Sequence, residues 1–393
     1  MKLLFRKVIP AFLKKISRPS YLFFFLFLGT ATFLSHAFAV RLSTPIEYVL
    51  VETPIQELPK PLPRHLPTPS AVRGMYMTSW VAGTKDWRAE LQEFVDKSEM
   101  NALVIDVKDY TGRVSFEVDD ERLRQVGYPE KRVPDMREFI EELHRKDIYV
   151  IGRIAVFQDP HLVRTRPDLG IKRKSGGLWQ DKQRLSWLDP AGRESWDFIA
   201  RIAREAEKVG FDELNFDYIR FPSDGNLSDM VYPFWDGKTP KAEVIRLFSL
   251  YLRTELRDLP VPLSADIFGL TTWNRDDLNI GQVLEDLAPI FDYLSPMVYP
   301  SHYPMGFQGY KNPAQHPYEI IKTAMERARE RLDAIGQDPK KLRPWIQDFD
   351  LGAEYDARMV KLEKQAIYDA GIQSWLSWDP SNKYTRGAYD LAE

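Results

Sequence analysis

Residues 211–225, FDELNFDYIRFPSDG, combine a strand-like apolar pattern with regularly spaced polar side chains. Glu213, Asn215 and Asp217 occupy one face of this alternation, and Leu, Phe and Tyr occupy the other. Because successive side chains of a strand point to opposite faces, the polar residues share one side. Burying an unpaired carboxylate is costly, so a polar face on a core-like strand needs partners or a function.

The rest of the chain from Arg73 places this stretch within a repeating architecture. Short apolar runs alternate with amphipathic segments, which predict strands and helices respectively. Strands are predicted at Gly74–Trp80, Ala102–Asp109, Tyr149–Phe157, Glu213–Phe221, Pro262–Gly269, Phe291–Tyr299, Leu342–Phe349 and Gln373–Trp378. Helices are predicted near Trp87–Ser98, Pro134–Lys146, Arg193–Val209, Lys241–Arg257, Gly281–Ile290, Pro317–Ala334 and Glu354–Ala370. Eight alternating strands predict a closed (β/α)8 TIM barrel of the α/β class. An open doubly wound sheet is the alternative, but no G-x-G-x-x-G motif follows a strand.

The long connections indicate which end of the barrel is functional. They follow strands, at residues 110–133, 158–192 and 222–240, whereas the connections that precede strands span only a few residues. Active sites of this fold form at the C-terminal ends of the strands. Loops longer than about 15 residues are commonly binding or lid elements. We therefore expect the site at the end of the barrel where these loops lie.

Two carboxylates are the candidate catalytic groups. Asp217 ends the inward face of the fourth predicted strand, and Asp266 has the corresponding inward position on the fifth. Neighbouring strand ends allow a separation of roughly 5–9 Å, the range that glycosidases use. Unequal surroundings would keep one carboxyl neutral as a general acid and the other ionised. Arg220 is expected either to pair with Asp217 and lower its pKa or to anchor the loop.

Other polar and aromatic residues at the strand ends are candidates for substrate binding. Each of them alone is more often structural than functional, but a ring of such groups at one mouth suits sugar hydroxyls and pyranose faces. The candidates are Asp106, Arg153, Asn215, Arg220, Tyr299, His302, Gln347 and Trp378. Four loop tryptophans, Trp179, Trp187, Trp235 and Trp273, are expected either to stack on sugars or to anchor their loops.

Several kinds of chemistry find no support in the sequence. The chain has no cysteine and no H-E-x-x-H motif, so we expect no metal site and no cofactor. It has neither a G-x-S-x-G elbow nor a Walker loop. The basic run Lys172-Arg173-Lys174, together with Lys182 and Arg184, is either a solvated face or a contact for an anionic polymer.

The N-terminal 72 residues predict export. Residues 1–20 contain six bases and no acid, so the net charge of −3 becomes −9 for the remainder, which argues against nucleic-acid binding. Tyr21–Val40 is an uncharged apolar segment of about one bilayer thickness. A basic flank stays in the cytoplasm, so the domain is expected outside it.

A small-x-small motif at Ala37-Phe38-Ala39 leaves a cleaved signal peptide open, whereas the length of the basic segment favours a membrane anchor. The Pro-rich segment at 41–72 is expected to be an extended linker without packed structure, followed by one domain at 73–393.

The quoted stretch also carries a family resemblance. Together with SADIFGL, DYLSPMVYPSHY, PWIQDF and SWLSWDPSNKY, it resembles the "putative glycosyl hydrolase" domain of exported bacterial proteins, which are distant relatives of alpha-amylase-type barrels. The resemblance covers nearly all of 73–393 and implies hydrolysis of glycosidic bonds, with Asp217 in the place of the nucleophile. The chain departs from the amylase-type pattern in having Asn215 where that pattern has Arg, and Asp266 where it has Glu. It is also distantly similar to chitinase-type barrels, but Ile219 replaces the Glu of their fourth-strand motif.

These features support a glycoside hydrolase that acts on an extracytoplasmic polysaccharide. Asp217 is predicted as the nucleophile or stabilising carboxylate, and Asp266 as the general acid/base. A non-catalytic glycan-binding barrel of the cell envelope is the alternative, because the chain lacks the Arg and Glu noted above. A deacetylase-like hydrolase is a third possibility, for which the sequence offers no set of metal ligands.

Overall fold

A computed structural model describes residues 62–390, in which eight parallel strands close into a barrel in sequential order. Its strands are β1 Arg73–Met77, β2 Ala102–Lys108, β3 Tyr149–Ala155, β4 Glu213–Asp217, β5 Leu263–Phe268, β6 Tyr293–Met297, β7 Trp345–Gln347 and β8 Trp375–Trp378. The α-helices are α1 Ser79–Ala82, α2 Lys85–Asp96, α3 Glu121–Gln125, α4 Met136–His144, α5 Pro160–Thr165, α6 Arg193–Val209, α7 Lys241–Glu255, α8 Leu284–Leu287, α9 Pro317–Ala334 and α10 Ala357–Asp369. A short antiparallel ribbon pairs Lys172–Arg173 with Met230–Val231. The prediction of a closed (β/α)8 barrel is confirmed.

The strands are shorter than predicted, mainly because several predicted ends belong to loops. β4 ends at Asp217, not Phe221, because Tyr218 has a left-handed backbone (φ 55°) that cannot continue a strand. Helices α6 and α9 begin and end as predicted. The short helices α1, α3 and α5 lie in loops after strands and were not predicted. At four to six residues they carry too little periodicity to be recognised.

Two buried clusters account for the packing. Leu214 and Phe216 of β4 are fully buried in the larger cluster, between the barrel and its helices. A smaller cluster contains strand residues of the opposite parity, such as Tyr149, Trp345 and Tyr76, inside the barrel. The interior also contains a buried ion pair between Arg343 and Glu213 (2.6 Å). Polar residues of β4 therefore share the barrel interior with aromatic side chains.

Part of the predicted linker packs against the barrel. The amide of Leu66 donates to Asp212 Oδ1 (2.7 Å), the Thr68 hydroxyl lies 3.1 Å from the Tyr149 hydroxyl, and Val72 is fully buried. The prediction that 41–72 lacks packed structure is therefore wrong for residues 62–72. Asp212 and Tyr149 lie at the N-terminal ends of β4 and β3, so this segment contacts the end of the barrel opposite the predicted site. The predicted export segment Tyr21–Val40 and residues 41–61 lie outside the described residues, and no helix within 62–390 is apolar and long enough to cross a membrane.

Truncation of this segment should destabilise the domain. A chain that begins at Arg73 loses the buried Val72 side chain and leaves Asp212 without the Leu66 amide. We expect its free energy of unfolding to fall by at least about 2 kcal/mol relative to a chain that begins at Leu62. Urea unfolding of the two chains measures the difference. Equal midpoints would show that residues 62–72 do not stabilise the barrel.

Candidate active site

Arg153 is the centre of a buried charged cluster at the C-terminal ends of the strands. It extends from β3 into the barrel, where its Nη1 donates to Asp106 Oδ1 on β2 (2.7 Å). Its Nη2 and Nε donate to Asp217 Oδ2 on β4, at 2.5 and 3.1 Å. Strand register explains the arrangement, since Arg153 pairs with Asp106 on one side and Asn215 on the other. A buried guanidinium is tolerated only with such well-oriented acceptors.

Asp266 lies beside this cluster on β5. Its Oδ1 accepts hydrogen bonds from Asn215 Nδ2 (3.0 Å) and Trp345 Nε1 (2.8 Å). Its Oδ2 is 3.9 Å from Arg153 Nε, the same atom that donates to Asp217. The nearest oxygens of the two aspartates are therefore at most about 7 Å apart, the sum of the two distances from Arg153 Nε. Retaining glycosidases place their two carboxyl groups about 5–5.5 Å apart, and inverting ones about 6.5–9.5 Å.

The two carboxyl groups have unequal surroundings. Burial raises the pKa of Asp266 to about 8, and the nearby negative charge of Asp217 adds to this shift while Arg153 opposes it. Asp217 instead receives the Arg153 guanidinium on Oδ2 and the Tyr218 amide on Oδ1 (2.6 Å), contacts that suit a charged carboxylate. The surroundings of Asp266 therefore favour its protonated form, whereas Asp217 accepts charge-assisted hydrogen bonds from Arg153.

A strained turn follows Asp217. Tyr218 has φ 55°, a conformation that is unfavourable for an aromatic residue and that clusters at functional sites when the surroundings enforce it. This turn directs the Tyr218 amide back to the Asp217 carboxylate. It also ends the strand so that both Asp217 and Arg220 line the same cavity.

The cavity at this mouth has a volume of about 520 Å³ and lies directly over the two aspartates. Trp378 forms part of its wall, stacked on Tyr76 at 3.9 Å between ring centroids and edge-on to Trp345 at 5.4 Å. Such rigid aromatic surfaces suit the apolar faces of pyranose rings. The remaining wall is provided by loops after β3, β4, β5 and β6.

Most of the residues predicted from the sequence converge on this cavity. Its lining includes Arg153, Asp217, Arg220, Asp266, Tyr299, His302 and Trp378. Three further candidates do not line the cavity themselves: Asp106, Asn215 and Gln347. Each contacts a residue that lines the cavity or a residue next to one in sequence. Asp106 and Asn215 hold Arg153 and Asp266, and Gln347 Oε1 accepts from the Ser301 hydroxyl (2.8 Å), beside His302. Burial raises the pKa of Asp106, which accepts from the Tyr76 hydroxyl at 2.6 Å.

Of the two roles expected for Arg220, the ion pair with Asp217 is not formed. Arg153 takes that role, while Arg220 Nη1 donates to the carbonyl of Phe221 (3.1 Å) and to Ser223 Oγ (3.2 Å). The physical reason is that both oxygens of Asp217 already have donors, Oδ2 from Arg153 and Oδ1 from the Tyr218 amide.

Of the four loop tryptophans, Trp187 lines the cavity. The others have anchoring contacts: Trp179 Nε1 donates to the Asn226 carbonyl, Trp235 Nε1 donates to the Thr239 carbonyl, and Trp273 packs under the Arg327 guanidinium.

Sequence reasoning missed several residues of the wall. Asp181 and Gln183 come from the long loop after β3, whose path no local pattern predicts. Asp181 Oδ2 accepts from Trp187 Nε1 (2.9 Å), which positions that ring. Trp345 had a usable signal, because it shares the inward parity of Gln347 on β7. Within residues 62–390, no group of His, Asp and Glu side chains is arranged to hold a metal ion.

Comparison with known proteins identifies a family for this chain. Residues 74–384 match the family model described as "Putative glycosyl hydrolase domain". A hypothetical protein from Ruminiclostridium thermocellum ATCC 27405 shares 36% identity over 49% of this chain and 96% of its own, with a TM-score of 0.45. No curated protein matches the chain in sequence.

Two solved glycosidase structures share the barrel fold at low sequence identity. The PgaB (BpsB) glycoside hydrolase domain from Bordetella bronchiseptica is 12% identical, with a TM-score of 0.57, over 82% of this chain and 100% of that one. An alpha-L-fucosidase from Paenibacillus thiaminolyticus is also 12% identical, with a TM-score of 0.56, over 81% of this chain and 47% of that one. The chain belongs to the putative glycosyl hydrolase domain family, and this membership supports glycoside hydrolase activity.

Proposed function

We propose that this protein hydrolyses a glycosidic bond of an extracytoplasmic polysaccharide, with Asp217 and Asp266 as its catalytic pair. The main support is that two carboxyl groups face one cavity on either side of Arg153. Asp217 forms a close ion pair with this arginine, whereas burial raises the pKa of Asp266. A glycosidase needs this asymmetry, because one carboxyl must donate a proton while the other remains charged.

Asp266 is the proton donor in this proposal. Its Oδ1 is occupied by two N–H donors, so the proton resides on Oδ2. As the bond between the anomeric carbon and the glycosidic oxygen breaks, that proton passes to the departing oxygen. Asp217 stabilises the positive charge that develops at the anomeric carbon, either through space or as a nucleophile, and water completes the hydrolysis.

The cavity wall supplies the sugar contacts in this proposal. Trp378 and Tyr299 present aromatic faces beside the aspartates, and His302 lies at the exposed rim. Asn215 and Asp106 position Asp266 and Arg153, and Gln347 supports the loop that carries His302. The extracytoplasmic location follows from the basic and apolar segments at residues 1–40.

Activity should decline at alkaline pH. If Asp266 donates the proton, kcat/KM falls as the pH rises through about 8, the pKa to which burial raises this group. Because the folded-state pKa lies above that of the unfolded chain, the contribution of Asp266 to stability is full below about pH 4 and is lost as the pH rises towards 8.

The Asp266→Asn variant tests both statements. It keeps an oxygen acceptor for Asn215 and Trp345 but holds no titratable proton. We expect it to lose hydrolysis and to gain thermal stability relative to wild type as the pH rises from 5 to 9. Reducing-end release and thermal midpoints across this range are the measurements. An active variant, or a wild-type profile that is flat through pH 9, would contradict the role of Asp266.

A non-catalytic glycan-binding barrel is distinguished by a direct assay. The full-length protein is incubated with a panel of envelope polysaccharides and exopolysaccharides, and both binding and new reducing ends are measured. Binding without reducing ends over prolonged incubation would favour the non-catalytic alternative.

A further inference from the structure

Arg220 is a buried cation of the cavity wall without a carboxylate partner. It is only 9% exposed, and no ion pair joins it to an acidic residue within 62–390. Its Nη1 binds two neutral acceptors, the Phe221 carbonyl and Ser223 Oγ. Its Nε and Nη2 make no hydrogen bond to the described residues, yet they are not sealed from solvent, so they face the cavity.

Three aromatic rings hold this guanidinium in place. Its carbon lies 4.7 Å from the ring centre of Trp187, 4.8 Å from that of Phe268 and 5.3 Å from that of Tyr218. Ring faces stabilise a cation without using its N–H donors. The packing therefore holds the Nε and Nη2 donors of Arg220 in fixed positions facing a ligand. Because the side chain is already ordered, binding costs little further side-chain entropy.

The nearby acidic residues are occupied by other donors. Asp217 is held by Arg153. Both oxygens of Asp181 are engaged, Oδ1 by the amides of Gln183 and Leu185 and Oδ2 by the side chains of Trp187 and Gln158. Asp224 Oδ1 accepts from the amide of Lys182. None of these carboxylates forms an ion pair with Arg220, so its Nε and Nη2 groups remain available as donors to an incoming anion.

The loop after β3, which brings Trp187 and Gln183 to the cavity, also carries five basic residues that form no ion pair with the described residues. They are Lys172, Arg173, Lys174, Lys182 and Arg184. Such a group attracts an anionic polymer towards the mouth of a protein whose remaining surface is mildly acidic.

We propose that Arg220 binds an oxyanion carried by the sugar ring of the substrate, so that the polysaccharide is acidic. This inference rests on the proposed function and narrows its substrate class. A carboxylate of a uronic acid matches the planar fork of Arg in two parallel hydrogen bonds, and a sulfate ester offers the same oxyanion chemistry.

Monosaccharide binding tests the proposal independently of hydrolysis. Glucuronate and galacturonate are titrated into the full-length protein and compared with glucose and galactose, and glucose 6-sulfate provides the sulfate arm; binding is followed by ligand-observed NMR. We expect at least one anionic sugar to bind about tenfold or more tightly than its neutral parent, since its oxyanion gains charge-assisted hydrogen bonds from Arg220. A preference for the uronic acids identifies a carboxylate as the bound anion, and a preference for glucose 6-sulfate identifies a sulfate ester.

Substitutions assign that preference to Arg220. Arg220→Met and Arg220→Gln should reduce it to about onefold, whereas Lys361→Met, at an exposed base of α10 outside the cavity lining, should retain it. Two substitutions of Arg220 are used in case one of them misfolds, and the thermal midpoint of each variant shows whether it is folded. Equal binding of acidic and neutral sugars by wild type, no binding of either, or an unchanged preference in folded Arg220 variants would each overturn the inference. A preference lost with Arg220, combined with no hydrolysis of any glycan, would instead overturn only the proposed function.

Discussion

The Asp217→Asn protein is expected to bind its polysaccharide and fail to cleave it. The substitution removes the charge that would stabilise the developing cation at the anomeric carbon, so kcat/KM should fall by at least about a thousandfold. The fold should persist, because an amide oxygen still accepts from the Tyr218 amide and Arg153 keeps Asp106 as a partner. Reducing-end release, glycan binding and thermal midpoint are measured together.

A second effect of this substitution concerns Asp266. The negative charge of Asp217 helps to raise the pKa of Asp266, so its removal should lower that pKa from about 8. Asp224→Asn is the matched control, because it removes a carboxylate that lines the same cavity but forms no ion pair with Arg153. It should keep most of the activity. Full activity of Asp217→Asn, or equal losses in both variants, would refute a catalytic role for Asp217.

Replacement of Arg153 should have the largest effect on stability. In Arg153→Met the buried carboxyl groups Asp106, Asp217 and Asp266 lose the cation that they share. Breaking a buried ion pair from one side costs about 3–5 kcal/mol, because the remaining charge stays uncompensated. We expect a loss of at least this size in urea unfolding at pH 7.5, together with loss of hydrolysis.

The pH dependence of this loss identifies its cause. Protonation neutralises the stranded carboxylates, so the deficit relative to wild type should shrink as the pH falls towards 5. Arg166→Met is the control, because Arg166 also contacts two carboxylates, Asp168 and Glu194, but at the surface. Surface ion pairs contribute about 0–1 kcal/mol, so this variant should unfold almost as wild type does. A deficit in Arg153→Met that does not vary with pH would point to lost packing.

The barrel itself was predictable because each strand carries its own signal. Period-two alternation in β4 and β5 predicts that Asp217 and Asp266 lie on the inward face, and the long loops after strands indicate which end holds the cavity. These are local properties, since the alternation of a strand and the residues that begin and end a helix can be read from a few neighbouring positions.

Tertiary structure alone decided which charges meet. Arg153 and Asp217 are 64 residues apart and contact through strand register, whereas Arg220, only three residues from Asp217, forms no ion pair with it. The same holds for the fully buried Val72, which ends a segment whose composition predicts a free linker. Composition and alternation thus determined the barrel and the inward aspartates of this protein. The partner of Asp217, the raised pKa of Asp266 and the unpaired guanidinium of Arg220 depend on distances and burial that form only when the barrel closes.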